Sequence, residues 1–153
     1  MQRSQWKTVN IGELCTREVY IVESGEPLLQ AVHEMRKRNI GCVVVVERRG
    51  DCAVPVGVVT DRDIVRALPD YPDGIGRARV ADVMTREPFT LGEDESIVEG
   101  MGRLRRRGVR RAPVTAANGD LVGIVSTDDC LGVVAEQLDS LARLVERQTQ
   151  PRR

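Results

Sequence analysis

The chain has 153 residues, balances 23 Lys and Arg against 23 Asp and Glu, and is only 3% aromatic. Zero net charge exerts no overall pull toward nucleic acid or membrane surfaces, so either partner would need a local patch. The length suits one domain or two small units sharing a core, and with so few rings that core has to be built from Val, Leu and Ile.

Residues 1–8 are polar apart from Trp6 and read as a loose arm without the apolar stretch of a signal peptide. No run approaches the roughly 20 apolar residues of a membrane span, and a cytoplasmic protein is expected. Ile11 to Cys15 reads as one helical turn, and Val19 to Val22 as a short strand. Ser24-Gly25-Glu26-Pro27 then opens a helix, with Leu28, Ala31, Val32 and Met35 spaced along one face. His33 falls off that face and is expected at the surface.

Cys42-Val43-Val44-Val45-Val46 is a continuous apolar run, the pattern of a strand covered on both sides. A polar turn from Glu47 to Cys52 leads to a strand over Val54 to Val59, where Pro55 suggests an edge or a strand start. That strand ends in Gly57-Val58-Val59-Thr60-Asp61-Arg62-Asp63 and runs into a helix over Asp61 to Leu68. Two readings of the motif stay open. Thr60 and Asp63 have the spacing of a capping box at a helix start. The same helix start, with free N–H groups and a nearby carboxylate, also suits a phosphate and a sugar diol. The glycine permits another backbone or a ligand to come close.

Residues 69–76 hold two prolines and two glycines and read as a linker. The order of elements then begins again. Val80 to Glu87 lies over Ile11 to Glu18 at an offset of 69 residues, Phe89 meets Tyr20, and Ile97, Gly100, Met101 and Leu104 meet the first helix stripe. The motif returns 66 residues on as Gly123-Ile124-Val125-Ser126-Thr127-Asp128-Asp129, so the first hairpin carries three extra residues. Val134, Leu138, Leu141, Leu144 and Val145 keep helical spacing in a tail from Val133 to Gln148, read as a packing or dimer-contact element. Residues 151–153 are expected to fray.

Cys15, Cys42, Cys52 and Cys130 form no C-x-x-C pair and are expected as reduced thiols, Cys42 and Cys130 buried. With one histidine and no ligand spacing, a metal site is not expected. Neither is an enzyme, because the sequence offers no nucleophile–base pair and no Walker or Rossmann fingerprint.

Each copy runs short helix, strand, helix, strand, strand, helix, and closes on Gly, two aliphatics, a hydroxyl, two spacers and Asp. In this the chain resembles a stand-alone tandem pair of cystathionine-β-synthase (CBS) domains, a Bateman module, over roughly residues 9–138. The resemblance implies an α/β (α+β) fold of two pseudo-symmetric repeats, each a small mixed three-stranded sheet with flanking helices, packed sheet to sheet. Repeat 1 would span 8–69, a linker 70–79, and repeat 2 with its extended C-terminal helix 80–145.

The resemblance further implies a regulatory, energy-sensing module. It would bind adenine nucleotides of the AMP, ADP, ATP, NAD or S-adenosylmethionine type in two clefts, work as a homodimer, and act on a regulated protein. The motif Asp would hold the ribose hydroxyls. One cleft would use Ser126 and Asp129 with Tyr20, Ile21, Gly41, Cys42 and Val43. The other would use Thr60 and Asp63 with Phe89, Thr90, Arg111, Ala112 and Pro113. Arg110 and Arg111 match a phosphate-contacting position that is Gly41-Cys42 in the first repeat, so the clefts would differ in phosphate preference.

Two other readings stand beside this one. In the first, the motifs are only caps and the chain is a structural or oligomerisation module. In the second, the six arginines of Arg103–Arg111 bind nucleic acid. Against the latter, Leu104 continues the core stripe and Glu93, Asp94, Glu95 and Glu99 precede the run, so a solvated helix face explains most of these charges.

Overall fold

The computed structural model describes residues 9–149, so the expected loose arm and frayed end lie outside the described residues. In order the chain forms α1 (Ile11–Leu14), β1 (Ile21–Val22), α2 (Leu28–Arg38), β2 (Cys42–Arg49), β3 (Cys52–Thr60), α3 (Asp61–Ala67), α4 (Val80–Val83), β4 (Thr85–Arg86), β5 (Leu91–Gly92), α5 (Ile97–Arg107), β6 (Arg111–Thr115), β7 (Leu121–Ser126) and α6 (Thr127–Thr149). Two 3-10 turns, Leu68–Asp70 and Ile75–Arg77, sit within and beside the linker. Both long helices of the repeats end on a left-handed residue, Asn39 (φ 53°) after α2 and Gly108 (φ 65°) after α5. The residue there has to tolerate positive φ, which favours Gly and Asn.

The mixed α+β architecture follows the pattern read from the repeat. One sheet has the order β1-β2-β3-β4 and the other β5-β6-β7. In each, a short strand runs parallel to the first arm of an antiparallel hairpin. The first sheet carries one strand more than the three expected, because β4, from the second repeat's sequence, pairs with Gly57 and Val58 of β3. The second sheet has the matching contact as a single bridge, where Thr16 and Ile124 exchange N–H···O bonds of 2.9 and 3.0 Å.

The strands are longer than the apolar runs alone suggested. β2 continues through Glu47 to Arg49, so the hairpin turns at Gly50 and Asp51. Pro55 lies neither at an edge nor at a strand start. It faces Val46, where the register slips between Val45 and Val46, and such a bulge absorbs the missing N–H.

The valine run divides its side chains between two interiors, as alternation along a strand demands. Val43 and Val45 join Leu28, Ala31 and Met35 of α2 under the first sheet, whereas Val44 and Val46 meet Leu121 and Ile124 of the other sheet. This two-sided burial is why the run reads as unbroken valine. The short helices trade places. Ile11 and Cys15 of the α1 segment are buried with Leu91, Leu104, Val114 and Val125, and Val80 of α4 is buried with Val22, Leu28 and Val59. Backbone bonds fix the exchange, Ile11 N to Glu95 O at 2.8 Å and Val80 N to Glu26 O at 3.0 Å. The hairpin tips also meet, with Ala53 N donating to Asp120 Oδ1 at 2.7 Å.

Among the described residues no helix is long and apolar enough to cross a membrane, and no group of three or more His, Cys, Asp or Glu is placed to hold a metal. All four cysteines are free. Cys130 is buried as expected, but Cys42 is only half-buried and Cys15 is the second buried thiol. Cys15 sits on α1, whose burial in the other repeat's core no local pattern announces.

Candidate functional site

At the end of β3, Thr60 is held in extended backbone and caps α3. Its Oγ1 accepts from Asp63 N at 3.2 Å and donates to Asp63 Oδ2 at 2.7 Å, while Thr60 N donates to the same oxygen at 2.9 Å. Ser126 and Asp129 repeat this geometry at the start of α6 with the same three distances. Both motifs are therefore complete capping boxes. In each, one carboxylate oxygen is spent on the cap, and Oδ1 of Asp63 and of Asp129 takes no hydrogen bond among the described residues. All four residues are half-buried, within reach of a bound group.

The motif glycines serve a backbone neighbour. A Cβ on Gly57 would stand 2.8 Å from Met84 Sδ and 3.0 Å from Thr85 O. On Gly123 it would stand 2.6 Å from Thr16 O and 2.8 Å from Cys15 Sγ. The exchanged segments need that space.

The antiparallel register sets Cys42 opposite Thr60, and Asp61 N donates to Gly41 O at 3.1 Å. In the second repeat Arg111 stands opposite Ser126, and Thr127 N donates to Arg110 O at 2.8 Å. Gly41, Cys42 and Val43 thus line the first motif of their own hairpin, whereas the sequence comparison had assigned them to the cleft of Ser126 and Asp129. The reason is geometric: in a hairpin the start of one strand faces the end of the other. Arg111 does cross the repeat boundary. Its Nη1 is 3.3 Å, and Asp61 Oδ2 is 3.2 Å, from where a Cβ on Gly41 would lie. A guanidinium from one repeat and a carboxylate from the other converge over a glycine that leaves room for both.

The half-buried Cys42 records this environment. Burial pushes its thiol up from 9.0 to about 11, Asp63 and Asp61 push the same way, and Arg111 pulls it down. The thiol is neutral at physiological pH. A cavity of about 400 Å³, lined by Met35, Ile40, Gly41, Asp61 and Ile64 among others, opens at this junction. A larger one of about 630 Å³, lined by Glu23, Arg48, Met84 and Arg86 among others, takes none of the expected site residues.

Of the remaining expected residues, Val43, Ala112 and Pro113 are buried, which leaves their backbone as the part a ligand could meet. Tyr20 O accepts from Val44 N at 3.3 Å, so Tyr20 and Ile21 lie along the first sheet beside β2. Arg38 stacks over the Tyr20 ring at 4.9 Å. Phe89 lies under Arg103 at 5.0 Å and Arg107 at 5.5 Å, and Arg103 also donates to Thr90 O at 3.3 Å and pairs with Glu95. Half the arginine run is thereby engaged with aromatic, backbone or carboxylate groups. Arg110 sits 3.7 Å from Asp128 in a largely solvated pair, worth little by itself. Arg38, Arg107 and Asp61 were not singled out from sequence. The offset of 69 residues that maps Tyr20 onto Phe89 also maps Arg38 onto Arg107, and that signal was available. Asp61 occupies a spacer position and carries no such mark.

The family model for the CBS domain matches the chain twice, over residues 11–70 and 80–136. The chain is 30% identical over 127 residues to the uncharacterized protein MK0525 of Methanopyrus kandleri, covering 83% of this chain and 63% of that one. It thus spans somewhat less than two thirds of that relative. Among solved structures, the CBS domain protein PAE2072 from Pyrobaculum aerophilum, complexed with AMP, superposes with a TM-score of 0.70 at 25% identity, covering 79% of this chain and 89% of that one. The CBS domain pair of protein MJ0100, in complex with 5′-methylthioadenosine and S-adenosyl-L-methionine, gives 0.71 at 22% identity over 84% and 97%.

Proposed function

The chain belongs to the CBS-domain family, and on that premise we propose that it is a regulatory module, not a catalyst, that senses an adenine nucleotide or adenosyl compound. The observation that carries this reading is the pair of matched motifs, each with one Asp oxygen committed to its cap and the other without a hydrogen bond among the described residues. A carboxylate fixed in place by its own helix start presents a pre-oriented acceptor to a ribose diol, and preorganisation lowers the cost of binding. The AMP complex of PAE2072 supports the ligand class.

In this reading Thr60 and Asp63 work with the backbone of Gly41, Cys42 and Val43, and Arg111 attends the phosphate. Ser126 and Asp129 work with the backbone of Arg111, Ala112 and Pro113, with Arg110 nearby. Tyr20-Ile21 and Phe89-Thr90 frame the base. The clefts are non-equivalent because a guanidinium reaches Gly41 with no counterpart from Gly41 or Cys42 toward the other side. The module acts in the cytoplasm as a homodimer and passes the ligand state to a regulated protein.

Calorimetric titration with AMP, ADP, ATP, NAD and S-adenosylmethionine tests this. At least one binds below millimolar, and Asp63→Ala or Asp129→Ala weakens its own cleft by about 1.5–3 kcal/mol, the worth of a charge-assisted hydrogen bond. Arg111→Ala weakens AMP more than adenosine. The complete capping boxes favour a second reading, a structural module without ligand. There the same Asp variants lose about 1 kcal/mol of stability per cap and none of the five ligands binds, which would end the sensing proposal.

A further inference from the structure

Beyond its first two turns α6 leaves the body of the molecule. Cys130 is buried and Val133 and Val134 are half-buried, but residues 135–147 are exposed throughout. The exposed stretch includes Leu138, Leu141 and Leu144, with 62%, 51% and 55% of their surface open, and Leu131 at the helix start is 65% open. A stretch this short is marginal as an isolated helix in water, and packing of an apolar face supplies most of a helix's stability.

The face has a defined geometry. Leu131, Val134, Leu138, Leu141 and Val145 recur in alternating steps of three and four residues, the seam of a coiled coil. The flanks of that seam are Ala135, Gln137, Ala142 and Leu144, none of them charged. Every charged residue of the stretch falls on the outer side, as Glu136, Asp139, Arg143, Glu146 and Arg147. There Asp139 and Arg143 pair with each other at 2.8 Å.

This distribution discriminates between occupants. A membrane-surface helix has a polar face rich in Lys and Arg, whereas this one carries three acids and two arginines. A charged partner helix would find nothing at the flanks to pair with. A second copy of the same helix presents a matching uncharged strip, and a twofold contact requires such self-complementarity.

We propose that α6 pairs with α6 of a second copy along Leu131 to Val145. This gives the homodimer reading a named surface and stands apart from the nucleotide reading. Sedimentation of the full chain over a wide concentration range tests it, with Leu138→Glu/Leu141→Glu, Leu138→Lys/Leu141→Lys, and Val98→Glu as a control at an exposed valine of α5. The expected result is a dimer for the parent chain and for Val98→Glu, and a monomer for each double variant. An equimolar mixture of the Glu and Lys variants regains the dimer mass, which also shows that both fold. A parent chain that is monomeric throughout overturns the homodimer itself. A dimer that survives both double substitutions overturns only the surface. Neither result touches ligand binding measured by calorimetry.

Discussion

Gly41 is the residue on which the two repeats converge. Asp61 and Arg111 crowd the space that a side chain there would fill, and the neighbouring Cys42 thiol is pushed up to about 11, chiefly by burial. A raised thiol pKa means that the folded state holds its proton longer than the unfolded chain does. The linked stability is complete below the ordinary value of 9.0 and is lost as pH rises through about 11. Native Cys42 should therefore alkylate slowly with iodoacetamide up to pH 9 and speed up only toward the folded value. Arg111→Ala, which removes the one pull in the opposite direction, slows it further at fixed alkaline pH. Peptide mapping reads both rates, and a native profile matching the unfolded chain would contradict this account. From sequence alone Cys42 was assigned to the core and Gly41 to the other cleft. Neither the half-burial nor Arg111's reach leaves a local trace.

At the scale of elements, the motif glycines mark where exchanged segments lie against β3 and β7. Adding a methyl at Gly123 drives it into Thr16 O and Cys15 Sγ, whereas at Gly57 the nearest atom is the thioether of Met84. Backbone cannot yield as a flexible side chain can. Gly123→Ala should cost about 1–3 kcal/mol, as overpacking does, and Gly57→Ala less, both measured by urea unfolding. Equal losses would show that Met84 is as fixed as the strand. Here the sequence was informative in kind: a glycine inside a strand pattern signals close approach. It did not say which neighbour approaches, because β4 and the Thr16 segment are two-residue or single-bridge contacts without a period of their own.

At the scale of the molecule, the exchange of α1 and α4 binds the repeats into one cooperative unit. Ile11, fully buried, belongs to the first repeat's sequence and to the second sheet's core. Ile11→Ala should cost about 2–5 kcal/mol and lower hydrogen-exchange protection in β6 and β7, with unfolding still a single transition. Loss of protection confined to β1–β3 would show that sequence repeat and folding unit coincide. The α6 seam belongs to the same scale, since its apolar spacing makes sense only with a second molecule.

The sequence by itself determined the repeat, the order of elements, the two-sided burial of the valine run and the two capped Ser/Thr–Asp motifs. All of these rest on short-range spacing, which the periods of strand and helix convert directly into faces. Only the tertiary structure decided that α1 and α4 change partners, that the start of β2 lies beside its own Thr60, and that Arg111 spans the repeats to Gly41. These depend on contacts between residues roughly 70 apart in the chain. Long-range packing, not local pattern, sets which of several compatible faces meet.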